Sequence, residues 1–220
     1  MASTWIIPAL LAITLHEAAH GYVAKRLGDD TASQLGRVTF NPLKHVDPVG
    51  TIALPVILLV IHAPFLFGYA KPVPVRFDRL RHPRRDMVWV AAAGPGMNLL
   101  MATAAALLLH GVGFLPPVAA RWALDNLLHA IELNVVLAIF NLIPIPPLDG
   151  GRVAVGLLPD ALAAPLARLE RYGIAIVIGV LFIVPMLASR AGTHLGLFTQ
   201  IIGRPTVAVI EAILALTGTH

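Results

Sequence analysis

The sequence predicts an all-α polytopic membrane protein, a bundle of about four to six transmembrane helices. The first observation is composition: 57% of the 220 residues are hydrophobic, only 13% are charged, and the mean hydropathy is +0.80. A soluble domain carries roughly twice that share of charged residues. The second observation is a series of apolar runs of about 20 residues, separated by basic and turn-forming segments. A short membrane-associated strand or re-entrant element is expected between the first two core helices.

Five apolar runs are predicted to cross the membrane, and a sixth run is ambiguous. The five predicted helices cover residues 4–26, 86–110, 119–143, 172–189 and 194–217. The sixth run, residues 49–67, is interrupted by Pro55, His62 and Pro64. Because the loops on both sides of it are expected in the cytoplasm, we expect it to enter and leave the membrane on the same side. A full span is the alternative.

Basic residues concentrate in the loops beside the apolar runs. The loop at residues 69–86 contains six Lys or Arg residues against two Asp residues. Basic loops of this kind stay in the cytoplasm, which places the Lys25 and Arg26 end of the first helix inside and the N-terminus outside. Orientation and anionic lipid head groups therefore account for the net charge of +4. Nucleic acid is not expected as a partner.

The strongest chemical signal is His16-Glu17-Ala18-Ala19-His20 in the first apolar helix. Residues four apart lie on one helix face, about 6 Å apart along the axis, so both imidazoles can reach one tetrahedral zinc ion. Glu17 is rotated about 100° from His16, where it can act as a general base rather than as a ligand. Three ionisable groups are costly in a membrane helix, and zinc offsets that cost. The alternative is a pair of buried histidines that face a polar cavity.

A catalytic zinc site needs a third protein ligand, and Asp149 is the best candidate. The sequence contains no cysteine, so every protein ligand must offer nitrogen or oxygen. Asp149 follows a helix end broken by prolines at 144, 146 and 147, and Gly150 and Gly151 come directly after it. We expect these glycines to allow backbone conformations that aim the carboxylate inward. An Asp before Gly is also a common turn or N-cap signal, so a purely structural role for Asp149 stays open on spacing alone.

Taken together, these residues resemble the site-2 protease family of intramembrane zinc metalloproteases. The resemblance covers about residues 5–155 and rests on three ordered motifs: His-Glu-x-x-His at 16–20, Gly-Pro-Gly-Met-Asn at 94–98 and Asn-Leu-Ile-Pro-Ile-Pro-Pro-Leu-Asp-Gly-Gly at 141–151. It implies that one zinc ion per chain is bound by His16, His20 and Asp149, with Glu17 as the general base. It also implies that the substrate is a membrane protein, cleaved within or next to a transmembrane segment in the lipid bilayer.

The resemblance also implies how the chain is organised. We expect a single membrane-embedded metalloprotease domain at residues 1–220, with a catalytic core at about 5–155 and a helical C-terminal region at 156–220. The sequence shows no PDZ-like insertion and no nucleotide-sensing domain, both of which occur in larger relatives. The expected location is the plasma membrane, crossed several times, with the active site toward the cytoplasmic side.

Three further residues are candidates for holding the substrate or supporting the site. Asn98 and Asn141 are amides inside apolar helices, where polar side chains need partners. Asn141 either holds the substrate backbone or the oxyanion, or makes a hydrogen bond between helices, and both roles stay open. Tyr69 belongs to the sequence Gly-Tyr-Ala-Lys at 68–71, which resembles the strand that lies beside the active site in relatives.

Other small or polar residues of the helices are expected to serve packing. Gly94 and Gly96 are expected to let helices approach closely rather than to take part in catalysis. For Asn134, helix–helix hydrogen bonding is the favoured role.

Two other functions share some of these features. A zinc or cation transporter would use the same three metal-binding side chains but would not require Glu17 as a base. An inactive family member would serve as a membrane scaffold, and loss of a ligand or of the base would then be expected. The protease is favoured over both because the ligands and the base are all present.

Overall fold

The computed structural model describes residues 3–61, 70–190 and 195–219, and confirms the predicted all-α polytopic bundle. Within these residues, five helical stretches are long and apolar enough to cross a membrane. They are Thr4–Leu27, Pro83–Leu109, Pro117–Asn141, Asp160–Arg190 and Thr199–Thr217. The first three agree with the prediction to within a few residues. The fourth begins at Asp160 rather than at 172, and the fifth begins at Thr199 rather than at 194.

Ten α-helices make up most of the described chain. In chain order they are α1 (Ser3–Leu27), α2 (Thr31–Gln34), α3 (Leu54–Val60), α4 (Pro83–Leu109), α5 (Pro117–Asn141), α6 (Asp149–Leu157), α7 (Asp160–Arg168), α8 (Gly173–Ile178), α9 (Val184–Arg190) and α10 (Arg204–Thr217). Short 3₁₀ and π turns join α7, α8 and α9 into the fourth long stretch. α4 and α5 each begin with a proline, where the missing amide hydrogen leaves no intrahelical bond unmade.

The long helices α1, α4 and α5 pack against one another and form the centre of the bundle. Small side chains are fully buried there, including Ala12 of α1, Ala102 and Ala106 of α4, and Ala138 of α5. Small residues let helix backbones approach closely, which membrane bundles use because lipid supplies little hydrophobic force between helices. The same three helices also carry four polar residues of the candidate site, His16, His20, Asn98 and Asn134, whereas Asp149 lies in α6.

The ambiguous apolar run begins with a helix that is too short to cross the membrane. It consists of a π-helical part, Pro48–Ala53, followed by α3, and Asp47 caps it by accepting hydrogen bonds from the amides of Val49 and Gly50 at 2.9 and 2.7 Å. A span needs about 20 residues. The rest of this run, at 62–67, lies outside the described residues.

Residues 70–76 lack regular secondary structure, and we name them the extended segment after the extended backbone of Arg76 (φ −98°, ψ 92°) at their end. No strand occurs in the part of the chain that the structure describes. The segment is held by its backbone atoms. The Arg37 guanidinium donates to the carbonyl oxygen of Lys71 at 2.8 Å, and the Arg76 amide donates to Asp29 Oδ2 at 2.7 Å. The segment therefore has a fixed course beside the C-terminal end of α1.

The turn between α5 and α6 shows why glycines follow Asp149. Neither Gly150 nor Gly151 has a positive φ, because both lie in the first turn of α6. The expectation that they supply unusual backbone conformations is therefore wrong. They are needed for space: a Cβ on Gly150 would lie 2.1 Å from the Leu142 carbonyl oxygen, and one on Gly151 would lie 2.1 Å from the Pro146 nitrogen.

The last long helix runs from the Asp149 side of the bundle to the opposite side. Near its start, Ile202 is buried with Val177 and Leu181 against residues at the C-terminal end of α5. Beyond its end, the Thr219 hydroxyl donates to the Ala106 carbonyl oxygen at 3.3 Å, near the end of α4. α10 is therefore parallel to α4 and antiparallel to α5.

Candidate metal centre

Two imidazoles of α1 meet as the helical spacing predicts. His16 and His20 are buried, and their Nε2 atoms lie 3.1 Å apart. Because the residues are separated by one helical turn, both rings project from the same face of α1 toward α4.

Asp149 joins this pair from a distant part of the sequence. It is the first residue of α6 and is also buried. Its Oδ2 atom lies 3.2 Å from His16 Nε2 and 3.3 Å from His20 Nε2. The structure thus brings together the three side chains that the sequence singled out as metal ligands, with one ligand atom from each within 4.8 Å of the others.

The hydrogen bonds behind the rings show that this cluster fits a cation. His20 Nδ1 lies 2.7 Å from the Val90 carbonyl oxygen, which can only accept, so Nδ1 carries the proton. His16 Nδ1 lies 2.5 Å from Asn98 Oδ1 and donates in the same way. In each neutral ring the Nε2 atom then has a lone pair. Three acceptor atoms therefore face one another, and a cation among them relieves their repulsion.

The chemistry of these donors agrees with zinc. Two imidazole nitrogens and one carboxylate oxygen form a donor set typical of catalytic zinc sites, which keep a further position open for water or substrate. Each imidazole is also oriented through its other nitrogen, as outer hydrogen bonds usually orient metal-binding histidines. Asp149 Oδ2 is buried and accepts no hydrogen bond from a neutral neighbour. The residues present therefore fit a zinc ion.

Ionisation of Asp149 is also favoured by its surroundings. Burial alone would raise the pKa of its carboxyl group. The imidazoles of His16 and His20, which donate to the carboxylate whenever either ring carries a second proton, lower the pKa more strongly and hold it well below its ordinary value. At neutral pH the side chain is therefore a carboxylate, which is the form that binds metal.

Gly94 makes room for the two rings on the side of α4. A Cβ on this residue would lie 2.4 Å from His20 Nε2 and 2.6 Å from His16 Nε2. Gly94 therefore allows close packing, as expected. The same expectation is wrong for Gly96, because a Cβ there would meet no atom within 4 Å.

Glu17 is joined to the extended segment at 70–76. It is half-buried, and its Oε2 accepts a hydrogen bond from the Val73 amide at 2.8 Å. The residue between the two histidines is thus linked to the backbone that runs past the end of α1.

The three supporting candidates have different surroundings. Asn98 is fully buried and contacts His16 directly. Asn141 donates to the Leu137 carbonyl oxygen, one turn earlier in its own helix, at 3.0 Å, and its role toward substrate stays a prediction. Tyr69 lies outside the described residues. Asn134 makes the expected hydrogen bond between helices, and its partner is Asn98 at 2.8 Å.

Several contacts of the site were not predicted from the sequence. The Val90 carbonyl and the Val73 amide belong to the backbone, so no side-chain pattern marks them. Asp29 and Arg37, which hold the extended segment, looked like ordinary polar residues of a loop. The hydrogen bond of Asn134 between helices was predicted, but the identity of its partner, Asn98, was not.

Comparison with known proteins identifies the family. The sequence model described as Peptidase family M50 matches residues 117–186, which include all of α5 and the Asp149 turn. A Bacillus subtilis protein named "Putative zinc metalloprotease YwhC" is 42% identical over 185 residues, or 82% of this chain and 80% of the relative. Proteins named "Putative zinc metalloprotease Rip2" from Mycolicibacterium smegmatis and Mycobacterium tuberculosis are 33% and 31% identical, over 81% of this chain and 66% of each relative. No solved structure matches significantly. The chain belongs to peptidase family M50, the site-2 protease family, and is a multi-pass membrane zinc metalloprotease.

Proposed function

We propose that this protein hydrolyses peptide bonds within or next to the transmembrane segments of membrane proteins, with one zinc ion held by His16, His20 and Asp149. The main support for the proposal is that these three side chains are buried together, with one ligand atom from each within 4.8 Å of the others. Two of them lie in a helix long enough to cross a membrane, and the third follows the end of another such helix. A substrate segment in the bilayer can therefore approach the site from the side.

The proposed chemistry divides between the metal and Glu17. A zinc ion bound here would polarise the scissile carbonyl and make the attacking water more acidic. Glu17 would take the proton from this water and pass it to the leaving amine. Its position next to His16 in the sequence and its hydrogen bond to the Val73 amide support this role, because the bond restrains a carboxylate that directly follows a proposed ligand in α1.

The extended segment at 70–76 supports cleavage of an unwound substrate. A peptide bond inside a formed helix is shielded, and its carbonyl group is already hydrogen-bonded. A substrate that unwinds at the site needs new partners for its backbone, and an extended chain can supply them. Because this segment is bonded to Glu17, it would align such a substrate close to the base.

Charge supports a cytoplasmic orientation of the site. The stretch at residues 69–86, which ends in the first turn of α4, carries six basic residues. The segment bonded to Glu17 belongs to this stretch, so the site lies on the side that basic loops keep in the cytoplasm. We extend the proposal to the plasma membrane and to a single domain at residues 1–220.

Cleavage by a Glu17→Gln variant tests the proposal. The protein would be reconstituted in lipid vesicles with single-pass membrane proteins as candidate substrates. We expect the wild type to cleave at least one of them within or next to its membrane segment. Glu17→Gln should lose activity by at least about 100-fold, because general base catalysis contributes on this scale. Its zinc content should equal that of the wild type.

The matched control is Glu132→Gln, which makes the same change at an exposed position of α5 and should leave cleavage unchanged. Undiminished cleavage by Glu17→Gln would contradict the role of the base. A wild type that moves zinc across the vesicle membrane, with equal transport by Glu17→Gln and no cleavage, would contradict the proposed function itself.

A further inference from the structure

We infer that Asn134, which contacts neither imidazole, is a positioning residue that determines which ring nitrogen of His16 faces the metal centre. Asn134 lies in α5 and acts through Asn98 of α4 on His16 of α1. The inference deepens the proposed zinc site and rests on it.

The chain of contacts begins at a backbone carbonyl in α5. Asn134 Nδ2 donates to the Ala130 carbonyl oxygen at 2.8 Å. Its Oδ1 points the other way and accepts from Asn98 Nδ2 at 2.8 Å. Asn98 Nδ2 also donates to the Ala12 carbonyl oxygen of α1 at 3.3 Å, and Asn98 Oδ1 lies 2.5 Å from His16 Nδ1. One line of hydrogen bonds thus joins three helices.

This line has only one consistent direction. A backbone carbonyl can accept a hydrogen bond but cannot donate one. If the amide of Asn134 were turned over, its Oδ1 would face the Ala130 carbonyl oxygen. If the amide of Asn98 were turned over, its Oδ1 would face two acceptors, Asn134 Oδ1 and the Ala12 carbonyl oxygen. Both amides are therefore fixed, and Asn98 must present its oxygen to His16.

The consequence for His16 is a fixed tautomer. An acceptor at Nδ1 keeps the ring proton on that nitrogen, so Nε2 keeps its lone pair and points at Asp149. His20 reaches the same state without any side chain, because its Nδ1 faces the Val90 carbonyl oxygen. Of the two imidazoles, His16 is the one whose tautomer depends on replaceable residues.

Burial makes this arrangement hard to replace. Asn98 and Asn134 have no exposed surface, so an amide group that lost its partner would find no water nearby. Removing the Asn134 side chain takes one of the two acceptors from Asn98 Nδ2. The longer contact with Ala12 then holds the Asn98 amide by itself, and rotation of this amide becomes easier.

Nitrogen NMR of zinc-free protein with ¹⁵N-labelled histidine tests the inference. Spectra recorded at alkaline pH, where the rings are neutral, distinguish a proton on Nδ1 from a proton on Nε2. In the wild type we expect His16 and His20 to carry the proton on Nδ1. In Asn134→Leu we expect a mixture of tautomers at His16 only, together with zinc binding weakened by about tenfold, as for other outer partners of metal ligands.

Asn126→Leu is the matched control. Asn126 lies in the same helix and makes the same bond to a carbonyl one turn earlier, that of Trp122, at 2.8 Å. We expect this variant to change neither the tautomer nor zinc binding. An unchanged His16 tautomer in Asn134→Leu would overturn the inference. A wild-type spectrum in which His16 carries its proton on Nε2 would also overturn it, and this measurement does not depend on whether a variant folds. Because the spectra require neither zinc nor substrate, a failure here is distinct from a failure to find cleavage.

Discussion

The positions of the His16 and His20 rings depend on the absence of a side chain at Gly94 as much as on polar partners. Each ring is oriented through its Nδ1 atom, and the backbone of α4 at Gly94 lies directly against both rings. Any larger residue at 94 would put a carbon atom where the metal-binding nitrogens lie. The Gly-Pro-Gly-Met-Asn motif therefore serves the site twice, with Gly94 for space and Asn98 for hydrogen bonding.

We predict that Gly94→Ala weakens zinc binding by about tenfold or more, because the added methyl group must displace at least one imidazole from its ligand position. Competition with a metal chelator would measure the affinity, and circular dichroism would check that the helices remain. Gly96→Ala is the control, since a Cβ at residue 96 meets nothing within 4 Å. Wild-type zinc affinity in Gly94→Ala would show that the rings do not need this space.

At the level of single residues, the sequence identified the candidate ligands but not the hydrogen-bond partners that orient them. Helical spacing predicted that His16 and His20 meet, whereas Asp149 was only the best candidate on spacing alone and was implied by the family resemblance. Their roles as ligands stay a prediction. The acceptor for His20 could not be predicted, because it is a backbone carbonyl and depends on how α1 lies against α4.

Among the elements, the extended segment at 70–76 connects Glu17, the proposed base, to the rest of the fold. One end of it is held by Asp29, a fully buried carboxylate that also accepts hydrogen bonds from the amide and the hydroxyl of Thr31 at 3.0 and 2.5 Å. Burial raises the pKa of Asp29, but the hydrogen bonds from Thr31 and from the Arg76 amide together lower it by a larger amount. The pKa therefore lies below its ordinary value. Asp29 therefore stabilises the segment in its ionised form.

We predict that Asp29→Asn lowers the thermal unfolding midpoint at pH 7 and that this loss shrinks in acid. The pKa of Asp29 is lower in the folded protein than in the unfolded chain, so its contribution is complete above about pH 4. It is lost as the pH falls through the folded-state pKa. Thermal unfolding in detergent between pH 3 and 7 would measure the difference.

Asp30→Asn is the control for this prediction, because Asp30 is exposed and its carboxylate accepts a hydrogen bond from the side-chain amide of the nearby Gln34 at 2.6 Å. A difference between Asp29→Asn and the wild type that stays constant between neutral and acidic pH would contradict an ionised, hydrogen-bonded Asp29.

Helices were predicted correctly where hydropathy alone determines their location. α1, α4 and α5 were located within a few residues, since an apolar run of about 20 residues has one stable form in lipid. The reason for Gly150 and Gly151 was wrong because a sequence does not tell a glycine needed for its φ angle from one needed for space. The extended segment could not be distinguished from a strand, because that difference depends on a pairing partner.

Across the whole molecule, the C-terminal region supports the metal centre although it carries none of the three motifs. Gly173, at the start of α8, lies so close to the turn before Asp149 that a Cβ on it would be 1.5 Å from the Pro146 carbonyl oxygen. The turn is therefore held between α5 and α8. This contact is consistent with the proposed single domain, in which the C-terminal region packs against the core at about residues 5–155.

We predict that Gly173→Ala destabilises the protein by about 1–3 kcal/mol, because overpacking at a site without free space shifts the backbone. It should also weaken zinc binding, since the shifted turn carries Asp149. Thermal unfolding and zinc competition would measure both effects. Gly179→Ala, in the same helical stretch with nothing within 4 Å of its Cβ, should have neither effect. A stable Gly173→Ala protein with unchanged zinc affinity would separate the C-terminal region from the site.

The direction of the last helix in the bundle could not be predicted from the sequence. Hydropathy identified the fourth and fifth long helices but not how they lie in the bundle. Strict alternation of five spans would end α10 on the Asp149 side, whereas the structure ends it beside α4. Charge could not decide the direction, since Arg190 and Arg204 lie at the two ends of the connecting segment.

The proposed zinc site consists of His16, His20 and Asp149, with Glu17 as the base for hydrolysis. Zinc content per chain, measured on detergent-purified wild type, Glu17→Gln and Asp149→Ala, tests this ligand assignment. We expect one zinc ion per chain in the wild type and in Glu17→Gln, and a clear loss in Asp149→Ala, because only the last change removes a ligand. Zinc far below one per chain in the wild type, or undiminished in Asp149→Ala, would contradict it.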